Sequence, residues 1–162
     1  MRFAPVLLLL SIVGVQPVEQ SPQTNACAVS STIRDSAPHD ENADPIGSAN
    51  WYVNADRTIW AGPVPDNGWR SGGTLFSGSE AAKGQKTYWV RPRGTQLVIS
   101  GHRIDGSAPA VETHIPCCYP TGFQIVGLSF PTEGCWEITA KAGSSELQFV
   151  TQVKRTAMQR RQ

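Results

Sequence analysis

Residues 134–153 read GCWEITAKAGSSELQFVTQV, and their pattern is the clearest indication of the fold class of the chain. Apolar and polar residues alternate on both sides of Ala142-Gly143-Ser144-Ser145, which is typical of two strands that each bury one face. The inward faces are Trp136, Ile138 and Ala140, and then Leu147, Phe149, Thr151 and Val153. Gly143 is free to adopt the positive φ of a tight turn. The stretch therefore predicts an antiparallel hairpin that closes a β domain.

Short runs of β-branched and aromatic residues recur upstream, about 8–12 residues apart and separated by Gly, Pro and Asn. No segment carries the 3.6-residue period of a helix. The sequence therefore predicts an all-β fold, an antiparallel β-sandwich of about seven to nine short strands. Besides the hairpin strands, the candidates are Trp51–Val53, Thr58–Ala61, Thr74–Phe76, Lys86–Arg91, Gln96–Ser100, Val111–His114 and Phe123–Phe130.

The block GLSFPTEGCWEITAKAG, residues 127–143, with LQFVTQV at 147–153, resembles the last strands of small exported bacterial immunoglobulin-like domains. Those domains often begin a strand with Gly-x-Trp or Gly-Cys-Trp before the final hairpin. The resemblance covers residues 123–153 well and residues 51–122 only in strand pattern. It implies an immunoglobulin-like sandwich and carries over no catalytic residue. Unlike the core cysteines of antibody domains, Cys135 points away from the adjacent Trp136.

The ends of the chain differ from this domain in composition. Residues 1–28 resemble a signal peptide, because Arg2 precedes an apolar run that is too short to cross a membrane. Cleavage is expected after Ala28, or else near Gly14 or Val15. Residues 29–50 are predicted to be a flexible acidic linker, residues 51–153 the sandwich, and residues 154–162 a disordered basic tail. We therefore expect a periplasmic or extracellular protein.

The near-neutral charge of the chain results from acidic and basic regions that cancel each other. The chain has fourteen basic and thirteen acidic residues, but residues 29–153 carry only nine and twelve of them. The body is thus mildly acidic, and the net charge of +1 for the whole chain argues against a dedicated nucleic-acid binder. No apolar run reaches 18 residues, so membrane contact is expected only through the signal peptide or a lipid anchor.

Four cysteines, Cys27, Cys117, Cys118 and Cys135, favour at least one disulfide in an exported protein. Adjacent cysteines rarely bridge each other, so we predict a bond from Cys117 or Cys118 to Cys135. The remaining cysteine pairs with Cys27 or stays free. Alternatively, Cys27 is lipid-modified, although only Ala26 before it fits a lipobox.

Metal chemistry is a second hypothesis. His114 precedes Cys117 by three residues and His102 lies upstream, and imidazole and thiolate together suit zinc or copper. A copper site of the cupredoxin kind requires a His and a Met ligand shortly after the Cys, and neither residue follows Cys118 within the domain. The leading interpretation therefore includes no cofactor, and a periplasmic metal-binding domain is the alternative.

An enzyme is the third hypothesis, and we do not favour it. Ser100, His102 and Asp105 are close in sequence, but a catalytic triad is defined by geometry. Asp105 with Glu112 or Glu133 offers a carboxylate pair, as a small secreted hydrolase or an enzyme-accessory domain would need.

The leading hypothesis is a non-catalytic binding or adhesion module of the cell envelope, with a protein or carbohydrate ligand. Trp60 and Trp69 bracket a Pro- and Gly-rich loop, and Arg70 follows it. An aromatic ring on such a loop can stack on a sugar or fill a partner's pocket. Trp89 and Trp136 lie in alternating strands and are predicted to be core. The competing interpretation is that the loop folds back and Trp69 caps the sandwich.

Overall fold

The computed structural model describes residues 27–38, 46–66, 68–71, 85–116 and 119–155. These residues form two β-sheets and contain no helix, hence none long and apolar enough to cross a membrane. The strands are β1 Ile33–Ser36, β2 Ser48–Val53, β3 Trp60–Gly62, β4 Trp69–Ser71, β5 Gln85–Val90, β6 Leu97–Arg103, β7 Glu112–His114, β8 Phe123–Ser129, β9 Gly134–Ala142 and β10 Ser145–Arg155. The predicted all-β class is confirmed.

Six strands form one sheet in the order β1-β2-β3-β5-β8-β7, and four form the other in the order β4-β10-β9-β6. Every pairing is antiparallel except that of β4 with β10, which is parallel. The architecture is sandwich-like, but ten strands exceed the predicted number and the smaller sheet is mixed. β1 and β4 were not predicted, because β1 lies in a mainly polar segment and β4 directly follows the Pro- and Gly-rich loop.

The predicted closing hairpin is confirmed. β9 and β10 pair from Ser145↔Ala142 to Val153↔Gly134, and Gly143 occupies the turn with a φ of 61°. The inward-facing side chains predicted on both strands are buried. β6 extends this sheet on the far side of β9, from Leu97↔Ala142 to Arg103↔Trp136.

The core between the sheets is rich in aromatic rings. All five tryptophans are at most 1% exposed, so the prediction that Trp89 and Trp136 are core is confirmed. Tyr52 stacks on Phe149 with ring centroids 4.0 Å apart. Trp51 and Trp60 form a smaller cluster on the outer side of the larger sheet, with ring centroids 6.3 Å apart. Burial on this scale stabilises the domain mainly through the hydrophobic effect.

The linker predicted for residues 29–50 is wrong where the structure describes it. β1 pairs with β2, and the Trp51 indole Nε1 donates to the Asp35 carbonyl at 3.1 Å. Ile33 packs against the Trp51–Trp60 cluster. The segment has few large apolar residues of its own, and it is ordered because other strands supply the apolar surface on which it packs. The acidic residues 40, 41 and 44 lie outside the described residues.

The boundary of the predicted basic tail is also displaced. β10 continues through Lys154 and Arg155, which pair with Arg70 and Ser71 of β4. The Arg155 guanidinium lies 3.3 Å from the Glu133 carboxylate. Residues 156–162 lie outside the described ranges.

The disulfide joins Cys27 to Cys135, whose Cα atoms are 5.5 Å apart, so the pairing predicted for Cys135 is wrong. Residues 27–32, here called the N-terminal strap, run beside the smaller sheet. The Ser30 N–H donates to the Val150 carbonyl at 2.9 Å, and the Val150 N–H donates to Ser30 Oγ at 2.8 Å. These bonds hold the strap within reach of β9. Cys117 and Cys118 lie outside the described residues.

This disulfide constrains the predictions made for Cys27. Cleavage after Ala28 would remove Cys27, and a lipid thioether would use the same sulfur atom. Both are incompatible with the Cys27–Cys135 bond. Cleavage upstream, as considered near Gly14 or Val15, is compatible with it.

Candidate functional site

The tryptophans predicted to contact a ligand are in the core. Trp60 is 1% exposed, and its indole Nε1 donates to the Arg57 carbonyl at 2.8 Å. Trp69 is fully buried against Tyr52 and other core rings. Neither ring face can stack on a sugar in this structure. The competing interpretation, in which the loop folds back onto the sandwich, describes Trp69 better.

Arg70, the third predicted ligand residue, is half-buried on β4. Its backbone N–H donates to Gln85 Oε1 at 2.7 Å, and its guanidinium donates to the Arg155 carbonyl at 3.4 Å. Both contacts join β4 to neighbouring strands, so this residue holds the short strand in place.

The loop between the two tryptophans nevertheless borders a cavity. Val64, Pro65 and Asp66 line a space of about 340 Å³ whose opposite wall is the N-terminal strap and β10. Asn50 Nδ2 donates to Asp66 Oδ1 at 3.4 Å across its rim. Tyr52 also lines it, and burial raises the pKa of this phenol above its usual value, so Tyr52 is neutral there.

The histidines predicted as metal ligands lie on different sheets. His102 is on β6, with its imidazole Nε2 3.8 Å from the Glu137 carboxylate, and its side chain is 65% exposed. His114 is exposed on β7, and Cys117 is outside the described residues. Within the ranges that the structure describes, no three His, Cys, Asp or Glu side chains cluster as a metal ion requires.

The residues considered for hydrolysis are not arranged as a triad. Ser100 and His102 alternate with buried residues on β6 and are exposed. Asp105 Oδ1 accepts a hydrogen bond from Arg103 Nε at 2.6 Å. That bond holds the pKa of Asp105 below its usual value, so the carboxyl group stays ionised near neutral pH. It is an ion-pair partner and not a proton donor.

The larger cavity lies where the two sheets part at their β6 and β7 edges. This β6–β7 cleft has a volume of about 650 Å³ and is lined by residues 91, 94–99, 113, 115, 116, 119 and 124. Leu97 and Ile99 are buried at its floor, and Ile115 packs against the core beside them. The described lining contains no acidic residue, and Arg91 is its one ionised side chain.

The walls of the cleft carry backbone groups without strand partners. β6 pairs only with β9 among the described strands, and β7 only with β8. The Val111 N–H donates to the Gly101 carbonyl at 3.0 Å, which joins the two edges at one end of the cleft. Because backbone direction alternates along an antiparallel strand, Leu97 and Ile99 also direct their N–H and C=O groups away from β9.

Arg91 lies at the other end of the cleft and is only 6% exposed. Its Nε donates to Gln124 Oε1 at 2.9 Å, and its terminal nitrogens donate to the carbonyls of Pro92 at 3.2 Å and Tyr119 at 3.1 Å. Gln124 Nε2 in turn donates to the Pro116 carbonyl at 2.7 Å. The network fixes both described ends of the 116–119 connection.

These partners of Arg91 are all uncharged. Burial lowers the pKa of Arg91 from its usual value, yet a guanidinium stays protonated in proteins. A guanidinium has five N–H groups, and the three bonds leave two of them without a described acceptor. Among the described residues, the β6–β7 cleft therefore has an apolar floor between partly polar walls, backbone groups without strand partners, and at one end a buried cation whose described partners are all neutral.

Arg91-Pro92-Arg93-Gly94 forms the turn that precedes β6, since the Thr95 N–H donates to the Pro92 carbonyl at 3.3 Å and Gly94 has a φ of 73°. The missed signal is that residues 91–104 contain two further cations but no acid, so nothing local neutralises Arg91. In comparisons with known proteins, no family model, no curated protein and no solved structure matches the chain.

Proposed function

We propose that the chain is a non-catalytic, exported binding module of the cell envelope, and that the β6–β7 cleft binds its protein or carbohydrate ligand. We further propose that its sandwich is immunoglobulin-like. The Gly-Cys-Trp start of β9 before the closing hairpin supports that assignment. The signal-like residues 1–15 and the Cys27–Cys135 disulfide support export, because disulfides persist in oxidising compartments.

The observation that carries the binding role is the composition of the cleft. Small-ligand sites occupy about 300–1,000 Å³, with mostly apolar walls and a few polar groups that orient the ligand. The β6–β7 cleft has a volume of about 650 Å³, and Leu97, Ile99 and Ile115 supply apolar surface. Arg91 supplies a single charged group. A scaffold of paired strands holds these groups in fixed positions.

Export is tested by the mass of the chain recovered from the periplasm or the medium. We expect an N-terminus upstream of Cys27 and a mass that includes the Cys27–Cys135 bond. A recovered chain that begins at residue 29 would contradict this part of the proposal, since it lacks Cys27.

Binding is tested by ¹H–¹⁵N correlation spectra of the oxidised chain titrated with a panel of short peptides, oligosaccharides and small amphipathic molecules. We expect shifts concentrated on the backbone amides of residues 94–99 and 113–115. Thr113→Trp places a large ring on a residue that lines the cleft, and it should abolish these shifts. Glu112→Trp, at the adjacent exposed position outside the lining, is the matched control and should preserve them. Shifts spread evenly over both sheets, or no shifts, would count against a binding cleft.

A further inference from the structure

We infer that the β6–β7 cleft binds the C-terminal segment of a partner protein as an added β-strand on β6, with the terminal carboxylate against Arg91. This inference rests on the proposed function and names the ligand class of the same site. Three features carry it: the free edge of β6, the apolar floor beside that edge, and the buried cation at its end.

The free edge supplies the backbone hydrogen bonds. The Gly101 carbonyl accepts a hydrogen bond from the Val111 N–H, so the backbone groups of Gly101 point away from β9. Every second residue of β6 has this same phase, with its N–H and C=O groups directed away from β9. Leu97 and Ile99 share that phase, and the described residues offer them no strand partner on that side. An extended peptide satisfies such groups by continuing the sheet, which is how β-strand addition gains affinity. The Gly101–Val111 bond closes the edge, so about four residues of a peptide fit beside it.

The floor of the cleft supplies side-chain contacts at every second position. A strand added to β6 would point alternate side chains between the sheets, toward Leu97, Ile99 and Ile115. The intervening side chains would lie on the outer face beside Val98, which is 54% exposed. This geometry favours apolar residues at the last position of the peptide and two residues before it.

The Arg91 end supplies charge recognition. The Arg91 guanidinium is buried, its described acceptors are neutral, and none of the described lining residues is acidic. A carboxylate is therefore the complementary group, because charge-assisted bonds to a guanidinium are stronger than bonds to neutral acceptors. Arg91 precedes the start of β6, so a peptide whose C-terminus reaches it runs antiparallel to β6. A fatty acid could also supply a carboxylate, but it cannot bond the backbone of Leu97 and Ile99.

The test is a titration of the oxidised chain with the tetrapeptide acetyl-SVSV that has a free C-terminus, followed by ¹H–¹⁵N spectra. The matched probes are the same peptide with a C-terminal amide, a form N-methylated at the backbone amides that face β6, and decanoate. We expect shifts at residues 94–99 and at least roughly tenfold weaker binding of the amide, with a similar loss for the N-methylated form. We expect decanoate to bind at least roughly tenfold more weakly than the acid peptide, because it cannot form hydrogen bonds with the backbone of Leu97 and Ile99.

The variant Arg91→Lys keeps the positive charge but loses the planar fork of donors. It should narrow the preference for the acid over the amide, while Lys141→Ala, on the exposed end of β9, should leave that preference unchanged. If the spectrum of Arg91→Lys matches that of the wild-type chain outside residues 91–99 and 116–124, the variant is folded. The comparison of the acid, amide and N-methylated peptides uses the wild-type chain and does not depend on any variant. Equal binding of acid and amide, or decanoate binding as tightly as the peptide, overturns the inference while the binding cleft stands. If the panel of short peptides, oligosaccharides and amphipathic molecules also fails to shift the cleft, the proposed function fails as well.

Discussion

Replacing Cys27 with serine removes the covalent link between the N-terminal strap and β9. The two cysteines are 108 residues apart, so the bond closes nearly the whole described chain into one loop. On the chain-entropy model, a loop of about 100 residues loses enough freedom in the unfolded state to stabilise the fold by about 4.7 kcal/mol. The shorter loop predicted from Cys118 to Cys135 would give about 3 kcal/mol on the same model. The free energy of unfolding of Cys27→Ser should therefore fall by about 2–5 kcal/mol, the measured range for native disulfides.

Urea unfolding followed by tryptophan fluorescence measures this change. All five indoles are buried, so unfolding moves every one of them into water. The unfolded variant exposes more surface than the crosslinked chain, so its m-value should rise and unfolding free energies must be compared rather than midpoints. The reduced wild-type chain is the matched control, and it should unfold like reduced Cys27→Ser.

This experiment tests the pairing of Cys27 with Cys135. If Cys135 were bonded to Cys117 or Cys118, Cys27→Ser would lose less than about 1 kcal/mol, and Cys117→Ser or Cys118→Ser, whichever removes the bonded partner, would show the loss instead. Either that pattern of stability losses, or a proteolytic map of the oxidised chain that joins Cys135 to one of those cysteines, would contradict the Cys27–Cys135 pairing.

Arg91→Gln should destabilise the fold by about 2 kcal/mol in the same assay, because buried carbonyls lose their donors. An unchanged free energy of unfolding would mean that the hydrogen bonds of Arg91 do not stabilise the fold. Gly101→Ala should cost about 1–3 kcal/mol, since a Cβ would lie 2.4 Å from a core side-chain carbon. Gly94→Ala, with φ +73° in open space, should cost only about 1 kcal/mol. Arg103 lowers the pKa of Asp105, so their pair stabilises the fold above about pH 4 and loses this contribution as pH falls through the folded-state pKa. Asp105→Asn should therefore cost about 0.5–1 kcal/mol at pH 7 and nothing near pH 2, and a loss that persists in acid would exclude an ionic origin.

The fold was predictable where local pattern and burial agree. The hairpin of β9 and β10 shows an alternation long enough to fix its register and its buried face. β1 lies in a segment with one large apolar residue, Ile33, and it orders against Trp51 and Trp60. The local sequence of β1 cannot predict this packing, because the apolar surface that β1 contacts is formed by residues of other strands.

The candidate site was harder to predict, for a related reason. Trp60 and Trp69 flank a loop that reads as exposed, but the core accepts both rings. The β6–β7 cleft depends on the edges of two strands that belong to different sheets and are separated by residues 104–111, and Arg91 follows the end of a third strand, β5. Pairing of Cys27 with Cys135 is likewise a property of the folded chain, since proximity in sequence favoured the wrong partner.

The disulfide and the Arg155–Glu133 ion pair also set how the module can be displayed. Both lie beside Gly134, where β9 begins, so the first and last described residues leave the sandwich at the same pole. Leu97 pairs with Ala142 at the far end of β9, which places the Arg91 end of the cleft about 25–30 Å away, at the opposite pole. A tether, fusion partner or solid support attached beside Cys27 or Arg155 therefore lies at the pole opposite the Arg91 end of the cleft, which leaves that end accessible to large partners.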